Sequence, residues 1–222
     1  MNIRRLSRNT VKNLLKAHGF DPAPTRGEDS WDAFLKRHLE TLWACDFFTK
    51  TVWTVFGPKT FHALFFLHVH TRKVYLAGIT DHPTQKWTLE HTQKAQLPFG
   101  GTKDRPAVLI RDRDKKYSAA LDAFLRARNV QVKLTTYRSP NLNPYAEGWV
   151  GTIRRECLNH FIVFGERHLR YLVREYLTYY NTERAHPTLA ASTPWSQHPL
   201  RPSRRLQPSS RLGGLLRGYA WG

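Results

Sequence analysis

Residues 139–157 read SPNLNPYAEGWVGTIRREC, in which a proline-rich loop leads directly into a helical pattern. Pro140 and Pro144 lack a backbone N–H and favour turn geometry, so the helix is predicted to begin after them. Apolar residues at helical spacing then form the stripe that faces the core: Val150, Ile153, Cys157 and Leu158. This stretch therefore predicts a rigid loop followed by an amphipathic helix.

Glu147 lies in the first turn of this helix, away from the apolar stripe. Gly151 and Arg154 follow on the same face, at i+4 and i+7. A carboxylate at the start of a helix, close to an arginine that suits phosphate geometry, indicates a metal-and-phosphate site. The alternative is a glutamate that is favoured at this position only by the helix dipole.

The charge of the chain predicts a polyanionic partner. Of 222 residues, 35 are Lys or Arg and 17 are Asp or Glu, which gives a formal net charge of +18. Such a balance is typical of proteins that bind nucleic acid. A ribosomal-type protein and a protein on an anionic membrane surface are the alternatives.

Membrane insertion and export are not expected. No apolar run approaches the roughly 18 residues that a membrane-spanning helix needs. Residues 1–16 are basic but lack the apolar segment of a signal peptide. Cys45 and Cys157 are far apart, which argues against a zinc ribbon or a disulfide framework and fits the reducing cytoplasm.

The apolar periodicity predicts an α/β domain. Strands are predicted at 42–48, 61–69, 73–79, 106–110 and 130–134, and helices at 31–42, 83–97, 117–128, after 144 and at 166–180. Three strands in a row, followed by β-α-β alternation, predict a mixed five-stranded sheet flanked by helices, with the first three strands antiparallel.

The chain is predicted to have three parts. Residues 1–40 contain a basic amphipathic helix at 7–19, which looks like the second helix of a helix-turn-helix, and a linker. A basic amphipathic helix that does not read DNA is the alternative. Residues 41–183 form the globular core, and residues 184–222 form a basic tail that is expected to stay partly disordered until it meets a partner.

Three carboxylates are candidate metal ligands. Asp46 interrupts an apolar strand, Asp112 follows the apolar strand at 106–110, and Glu147 heads the helix described above. A carboxylate among apolar residues is costly unless it is paired, hydrogen-bonded or bound to a metal. Hard oxygen ligands of this kind suit Mg²⁺ or Mn²⁺. Asp114 is a rival to Asp112, whereas Asp122 is expected to be a solvated surface residue.

Several residues near these carboxylates are candidate DNA contacts. Lys115, Lys116, Arg154 and Arg155 flank the predicted site and would bind phosphates, which positions DNA without reading its sequence. Asn143 in the proline loop is a further candidate. The alternatives are a solvated basic face for the cations and turn capping for the asparagine.

Residues 41–183 resemble the catalytic core of the retroviral-integrase and bacterial insertion-sequence transposase superfamily, which has a DDE motif. The matching stretches are WACDFF around Asp46, LIRDRDKKY around Asp112, and residues 139–157 around Glu147. The spacing also fits, with 34 residues between Asp112 and Glu147. YYNTERAHPTL at 179–189 resembles the segment that closes this core.

The resemblance implies an RNase H-like fold and an enzyme that cuts and joins DNA during integration and transposition. Asp46, Asp112 and Glu147 would be the catalytic residues and would hold two Mg²⁺ or Mn²⁺ ions. The implied partner is double-stranded DNA, both element ends and target, bound by a homo-multimer in the bacterial nucleoid.

Two other functions remain open at the level of sequence. Gly148 stands where relatives often carry arginine, and the N-terminal DNA-binding region is short. These departures favour a truncated or repurposed transposase fragment that binds DNA without catalysis. A nuclease on the same fold that acts on RNA–DNA hybrids or junctions is the other alternative.

Overall fold

The computed structural model describes residues 37–102, 104, 106–135, 144–186, 189, 193–194 and 206–221. All of these except Arg37 fall in one compact unit, His38–Gly222. The predicted helix at 7–19 and the candidate DNA contact Asn143 lie outside the described residues.

A mixed five-stranded sheet forms the centre of this unit. Its strands are β1 Leu42–Thr54, β2 Gly57–His68, β3 Val74–Thr80, β4 Ala107–Arg111 and β5 Val130–Leu134, in the order β3-β2-β1-β4-β5. β1, β2 and β3 pair antiparallel, whereas β4 pairs parallel with both β1 and β5. The predicted sheet, with three antiparallel strands followed by a parallel β-α-β unit, is therefore confirmed.

The first strand is longer than predicted. β1 runs on from Phe48 to Thr54 and stays paired with β2 as far as Thr54↔Gly57. The prediction ends at Phe48 because the apolar run is interrupted by polar residues at 49–51. Threonine, valine and tryptophan nevertheless all favour strands. The extension makes a hairpin that continues past the end of β4.

In the part of the chain that the structure describes, four α-helices flank the sheet: α1 Gln85–Lys94, α2 Ala119–Arg126, α3 Pro144–Glu156 and α4 Gly165–Thr182. α1 and α2 begin one residue after Thr84 and Ser118, whose side chains accept hydrogen bonds from backbone N–H groups of the first turns. α3 begins at Pro144, where a missing N–H costs nothing. None of the described helices combines the length and apolarity needed to cross a bilayer.

The two faces of the sheet are covered by different helices. On one face, Trp43, Cys45 and Leu109 pack in a core that includes Leu121 and Leu125 of α2. The opposite face carries α3 and α4. Side chains alternate along a strand, so Asp46 points to the face opposite Cys45, the side of α3.

On that face, Trp149 of α3 meets Phe48 and Phe65 with ring centroids 5.6 and 4.3 Å apart. Because Phe48 lies two residues after Asp46 on β1, this contact holds α3 beside the stretch of strand that carries Asp46.

A β-hairpin lies near the end of the chain, in the region expected to be a partly disordered tail. β6 Leu206–Arg211 and β7 Leu216–Trp221 form a two-stranded antiparallel sheet. Arg211 forms ion pairs with Glu175 of α4 and with the buried Glu183 just after it. The sequence analysis missed this hairpin because it is held by contacts with α4 and not by an apolar pattern of its own.

Candidate active site

The register between β1 and β4 brings Asp46 and Asp112 to the same level. The two strands are parallel and pair Leu42 with Val108 and Ala44 with Ile110. Asp46 lies two residues after Ala44 on β1. Asp112 lies two residues after Ile110, just past the end of β4 at Arg111. Because side chains two residues apart share a face, both carboxylates belong to the face that α3 covers.

α3 carries Glu147 to the same face. Ala146 and Trp149 are buried on either side of it, whereas Glu147 itself is exposed in the first turn. The packing of Trp149 against Phe48 and Phe65 holds the helix against the sheet beside Asp46. Strand register and helix packing thus place three carboxylates from distant parts of the chain in one region.

The electrostatics of Asp46 reflect this proximity. Burial, reinforced by the negative charges of Asp112 and Glu147, raises the pKa of the Asp46 carboxyl to about 6. The Phe47 N–H, which donates to Asp46 Oδ1 at 2.7 Å, and the charge of Lys116 oppose this rise without cancelling it. A partly buried carboxylate among like charges is destabilised in its ionised form, and a bound cation would relieve that cost.

The chemistry of the three carboxylates fits a hard divalent cation, which prefers oxygen ligands. Among the described residues, no ion pair joins any of the three to a lysine or arginine. Within the same residues, no group of three or more His, Cys, Asp or Glu side chains converges closely enough to hold a metal ion. A shared face of the sheet and their oxygen chemistry, and not an assembled cluster, are thus what these carboxylates contribute to the candidate site.

Asp114, the rival of Asp112, has a different environment. Its N–H donates to Asp112 Oδ1 at 3.1 Å, and its own Oδ1 accepts from the Lys116 N–H at 2.9 Å. Its carboxylate also pairs with the Lys116 ammonium. Burial raises the pKa of Asp114, but the hydrogen bonds and charge of Lys116 outweigh burial and keep it below its usual value. Asp114 thus closes the turn after β4.

The candidate phosphate contacts surround this region in two groups. Lys115 and Lys116 lie in the turn after β4, with Lys115 exposed and the Lys116 ammonium 5.1 Å from the centre of the Phe47 ring. Arg154 and Arg155 are exposed on α3. On the same helix, a Cβ at Gly148 would meet no atom of the described residues outside the helix backbone within 4 Å.

The expectation that Asp122 is a solvated surface residue is wrong. Both of its carboxylate oxygens accept hydrogen bonds from Arg111 Nη2 at 2.8 Å. Arg111 closes β4 and points into the core side of the sheet, where a cation needs a buried partner. An arginine at the end of a fully apolar strand was the available signal, because it implies an acidic partner elsewhere in the fold.

The sequence analysis also did not identify Asn181 on α4 as an anchor for the sheet edge. Its side chain accepts a hydrogen bond from the Val74 N–H at 3.0 Å and donates one to the Val74 carbonyl at 2.9 Å. This amide occupies both backbone groups at the free edge of β3, as another strand would. It ties α4 to the antiparallel side of the sheet and leaves the parallel side to carry the candidate site.

Asp46→Asn is expected to stabilise the metal-free protein at alkaline pH. The usual pKa is near 3.8 and the folded value is about 6, so folding favours the protonated acid. This contribution is complete below pH 4 and is lost as the pH rises through 6. Asparagine cannot ionise and therefore avoids this loss. A pKa shift of this size corresponds to at most about 3 kcal/mol in the free energy of unfolding. Urea unfolding in EDTA at pH 4.5 and pH 8 measures the difference.

Asp104→Asn is the control for this substitution, because Asp104 is an exposed residue in the loop before β4. It is expected to leave the free energy of unfolding unchanged at both pH values. An Asp46→Asn protein that is no more stable than the wild type at pH 8 would contradict a penalty from burial.

Comparison with known proteins identifies the fold. A family model described as the integrase core domain matches residues 128–194, which include β5, α3 and α4. A comparison with curated protein sequences finds no match. The HTLV-2 integrase catalytic core domain in complex with magnesium, in its trimeric form, is similar with a TM-score of 0.55 and 12% identity, covering 72% of this chain and 97% of that chain.

A second solved structure, the simian T-cell lymphotropic virus intasome in complex with PP2A regulatory subunit B56 gamma, is similar with a TM-score of 0.52 and 13% identity. It covers 82% of this chain and 66% of that chain. The dimeric form of the HTLV-2 core gives a TM-score of 0.53 at 12% identity, covering 70% of this chain and 94% of that chain. The resemblance seen in the sequence is therefore confirmed: residues 128–194 match the integrase core domain, and the chain has the RNase H-like fold of the retroviral integrase catalytic cores.

Proposed function

We propose that this chain is a DDE-type polynucleotidyl transferase that cleaves DNA strands and transfers their ends during integration or transposition. The observation that carries the proposal is that strand register and helix packing bring Asp46, Asp112 and Glu147 to one face of the sheet. The negative charges of Asp112 and Glu147 add to the rise in the pKa of Asp46, which supports their proximity to it. The fold likeness to an integrase core in complex with magnesium supports the same reaction class.

In this proposal Asp46, Asp112 and Glu147 hold two Mg²⁺ or Mn²⁺ ions. Bound divalent ions supply Lewis acidity at the attacking and leaving oxygens of an in-line phosphoryl displacement. The three side chains bind and orient the ions, with Asp46 ionised at neutral pH because a bound cation counteracts the burial that raises its pKa. Lys116 screens the carboxylates, and Arg154 and Arg155 bind the phosphates of the DNA backbone.

The proposed substrate is double-stranded DNA, with element ends and target bound by a multimer of this chain. Solved structures similar to this chain include dimeric and trimeric forms of an integrase core and an intasome. The net charge of +18 supports a polyanionic partner.

The direct test is an assay of nicking and strand transfer on labelled DNA that ends in the termini of the encoding element. Activity with Mg²⁺ or Mn²⁺, and none in EDTA, is the expected result. Parallel reactions with internal duplex DNA and with an RNA–DNA hybrid separate a transposase from a nuclease of the same fold. Cleavage of the hybrid alone would replace the proposed substrate.

A DNA-binding protein without catalysis is the second candidate. It is favoured by the finding that the described residues contain no assembled cluster of three metal ligands. It predicts salt-sensitive DNA binding and no cleavage with any divalent ion under conditions in which the protein binds element ends.

Replacing both Arg154 and Arg155 with alanine is expected to weaken DNA binding equally for all sequences. The slope of log K against log salt is negative, and each lost phosphate contact reduces its magnitude by roughly 1. The magnitude should therefore fall by about 2 in the double variant. Fluorescence anisotropy at several salt concentrations measures the slope.

A matched control is the double alanine variant at Arg126 and Arg128. Both are exposed arginines at the end of α2, which packs on the other face of the sheet. This variant has the same net charge, and its slope should stay near that of the wild type. Equal losses in the two variants would mean that only total charge matters.

A further inference from the structure

Arg111 is a buried cation beneath the candidate site. It is the last residue of β4 and is 5% exposed. Its Nη2 donates to both oxygens of Asp122 at 2.8 Å, and its guanidinium lies 4.8 Å from the centre of the Tyr117 ring. Asp122 thus neutralises the charge, and Tyr117 covers one side of it.

The same guanidinium holds the backbone of Asp112. Arg111 Nη1 donates to the Asp112 carbonyl oxygen at 2.9 Å. The last pair of the β4–β5 ladder is Arg111↔Leu134, so Asp112 is the first residue beyond that ladder. The Thr135 N–H donates to the Arg111 carbonyl at 3.0 Å and secures the preceding peptide. Arg111 therefore supplies the restraint on Asp112 that the strand no longer provides.

This arrangement also extends towards Asp46. The Tyr117 hydroxyl lies 3.4 Å from the Sγ of Cys45, the residue directly before Asp46 on β1. The buried side chains of Arg111, Tyr117 and Cys45 thus form one connected group on the core side of the sheet. Asp46 and Asp112 belong to the opposite face of the sheet.

The group is not arranged for stability alone. Arg111 Nε is buried and has no hydrogen-bond partner among the described residues, which is unfavourable because a buried donor loses its hydrogen bond to water. An apolar pair of similar volume would avoid both this cost and the desolvation of the ion pair. A cation at this position is understandable if its contact with the Asp112 backbone has a role of its own.

We propose that Arg111, held by Asp122, is a positioning residue that sets the orientation of Asp112 for binding a divalent cation. The inference rests on the proposed function, because it assigns Asp112 as a metal ligand. Residues that orient metal ligands typically change metal affinity by 10–100-fold when they are replaced.

The test uses the double substitution Arg111→Met with Asp122→Leu in the full chain. Replacing both partners of a buried ion pair by apolar residues preserves folding far better than removing one charge. Mn²⁺ binding without DNA is measured by electron paramagnetic resonance, and the rise in melting temperature with Mn²⁺ is measured in parallel. The expected result is Mn²⁺ affinity 10–100-fold below wild type, with a metal-free melting temperature close to wild type.

The matched control is Arg184→Met with Glu156→Leu. Arg184 Nε and Nη2 donate to Glu156 at 2.9 and 2.8 Å, at the end of α3 opposite Glu147. This pair is also partly buried and ionic. Its replacement therefore exchanges an ion pair for two apolar side chains, as in the test variant, but away from the candidate site. Mn²⁺ affinity in this control should equal that of the wild type.

The outcomes are distinguishable. Wild-type Mn²⁺ affinity in the Arg111→Met, Asp122→Leu variant would overturn the positioning role and leave the proposed function intact. Should that variant fail to fold, Asp122→Asn is measured in the same way, because it loosens the guanidinium without removing it. A wild-type protein that binds no Mn²⁺, and does not differ from Asp46→Asn, would overturn the proposed function itself.

Discussion

Asp112→Asn is expected to lower metal-dependent strand cleavage by at least about 100-fold, since even residues that only orient metal ligands cost 10–100-fold. The amide keeps the shape of the side chain and its oxygen can still accept the Asp114 N–H, so the turn after β4 should persist. What is lost is the negative charge that would bind a divalent cation. Initial rates of nicking at saturating Mg²⁺, together with the melting temperature, separate the two effects.

Asp114→Asn is the matched control for this substitution. Asp114 is two residues away and differs in that it pairs with Lys116 and caps the turn. Its amide variant can still accept the Lys116 N–H, and its cleavage rate is expected to stay within a few-fold of wild type. A loss in Asp114→Asn as large as that in Asp112→Asn would assign the ligand role to Asp114 as well.

Trp149→Ala is expected to cost roughly 3–5 kcal/mol of folding stability, the range for deleting a large aromatic side chain from a core. Trp149 is 2% exposed and contacts the rings of Phe48 and Phe65. These contacts attach α3 to the sheet, so Glu147 should lose its place beside Asp46 and cleavage should fall with stability. Urea unfolding gives the free energy, and the nicking assay gives the activity.

Trp149→Phe distinguishes the ring from the indole N–H. Trp149 Nε1 is buried without a hydrogen-bond partner among the described residues, so its removal forfeits no hydrogen bond. Phenylalanine keeps an aromatic face towards Phe65 and leaves a smaller cavity than alanine, so it is expected to cost clearly less stability than Trp149→Ala. A phenylalanine variant as unstable as the alanine variant would show that the packing depends on the full size of the indole.

The fold was predictable because its signals are local. Four of the five strands contain an apolar run, β5 alternates apolar and polar residues as VQVKL, and α4 shows an apolar stripe from Leu169 to Tyr180 that the structure buries. The exceptions depend on neighbours. β1 continues through polar residues because β2 lies beside it, and the hairpin at 206–221 forms against Glu175 of α4 and Glu183 just after it.

The candidate site was predictable only in part. A carboxylate within an apolar run, another at the end of a strand and a third at the start of a helix are visible in the sequence as Asp46, Asp112 and Glu147. The role of Asp122 was missed because its partner Arg111 lies on a strand, so the pair has no helical spacing. The choice between Asp112 and Asp114 was also open, since they are one and three residues past the end of β4.

By itself, the amino-acid sequence determined the five strands of the central sheet to within their ends, the helices that flank them, the strongly basic character and the three acids to examine, because periodicity and composition act over a few residues. The tertiary structure alone decided that Ala44 pairs with Ile110, which brings Asp46 level with Asp112. It alone decided that Trp149 packs on Phe48 and Phe65, which carries Glu147 to the same face. Strand register and helix docking depend on side chains far apart in the chain, and no local pattern encodes them.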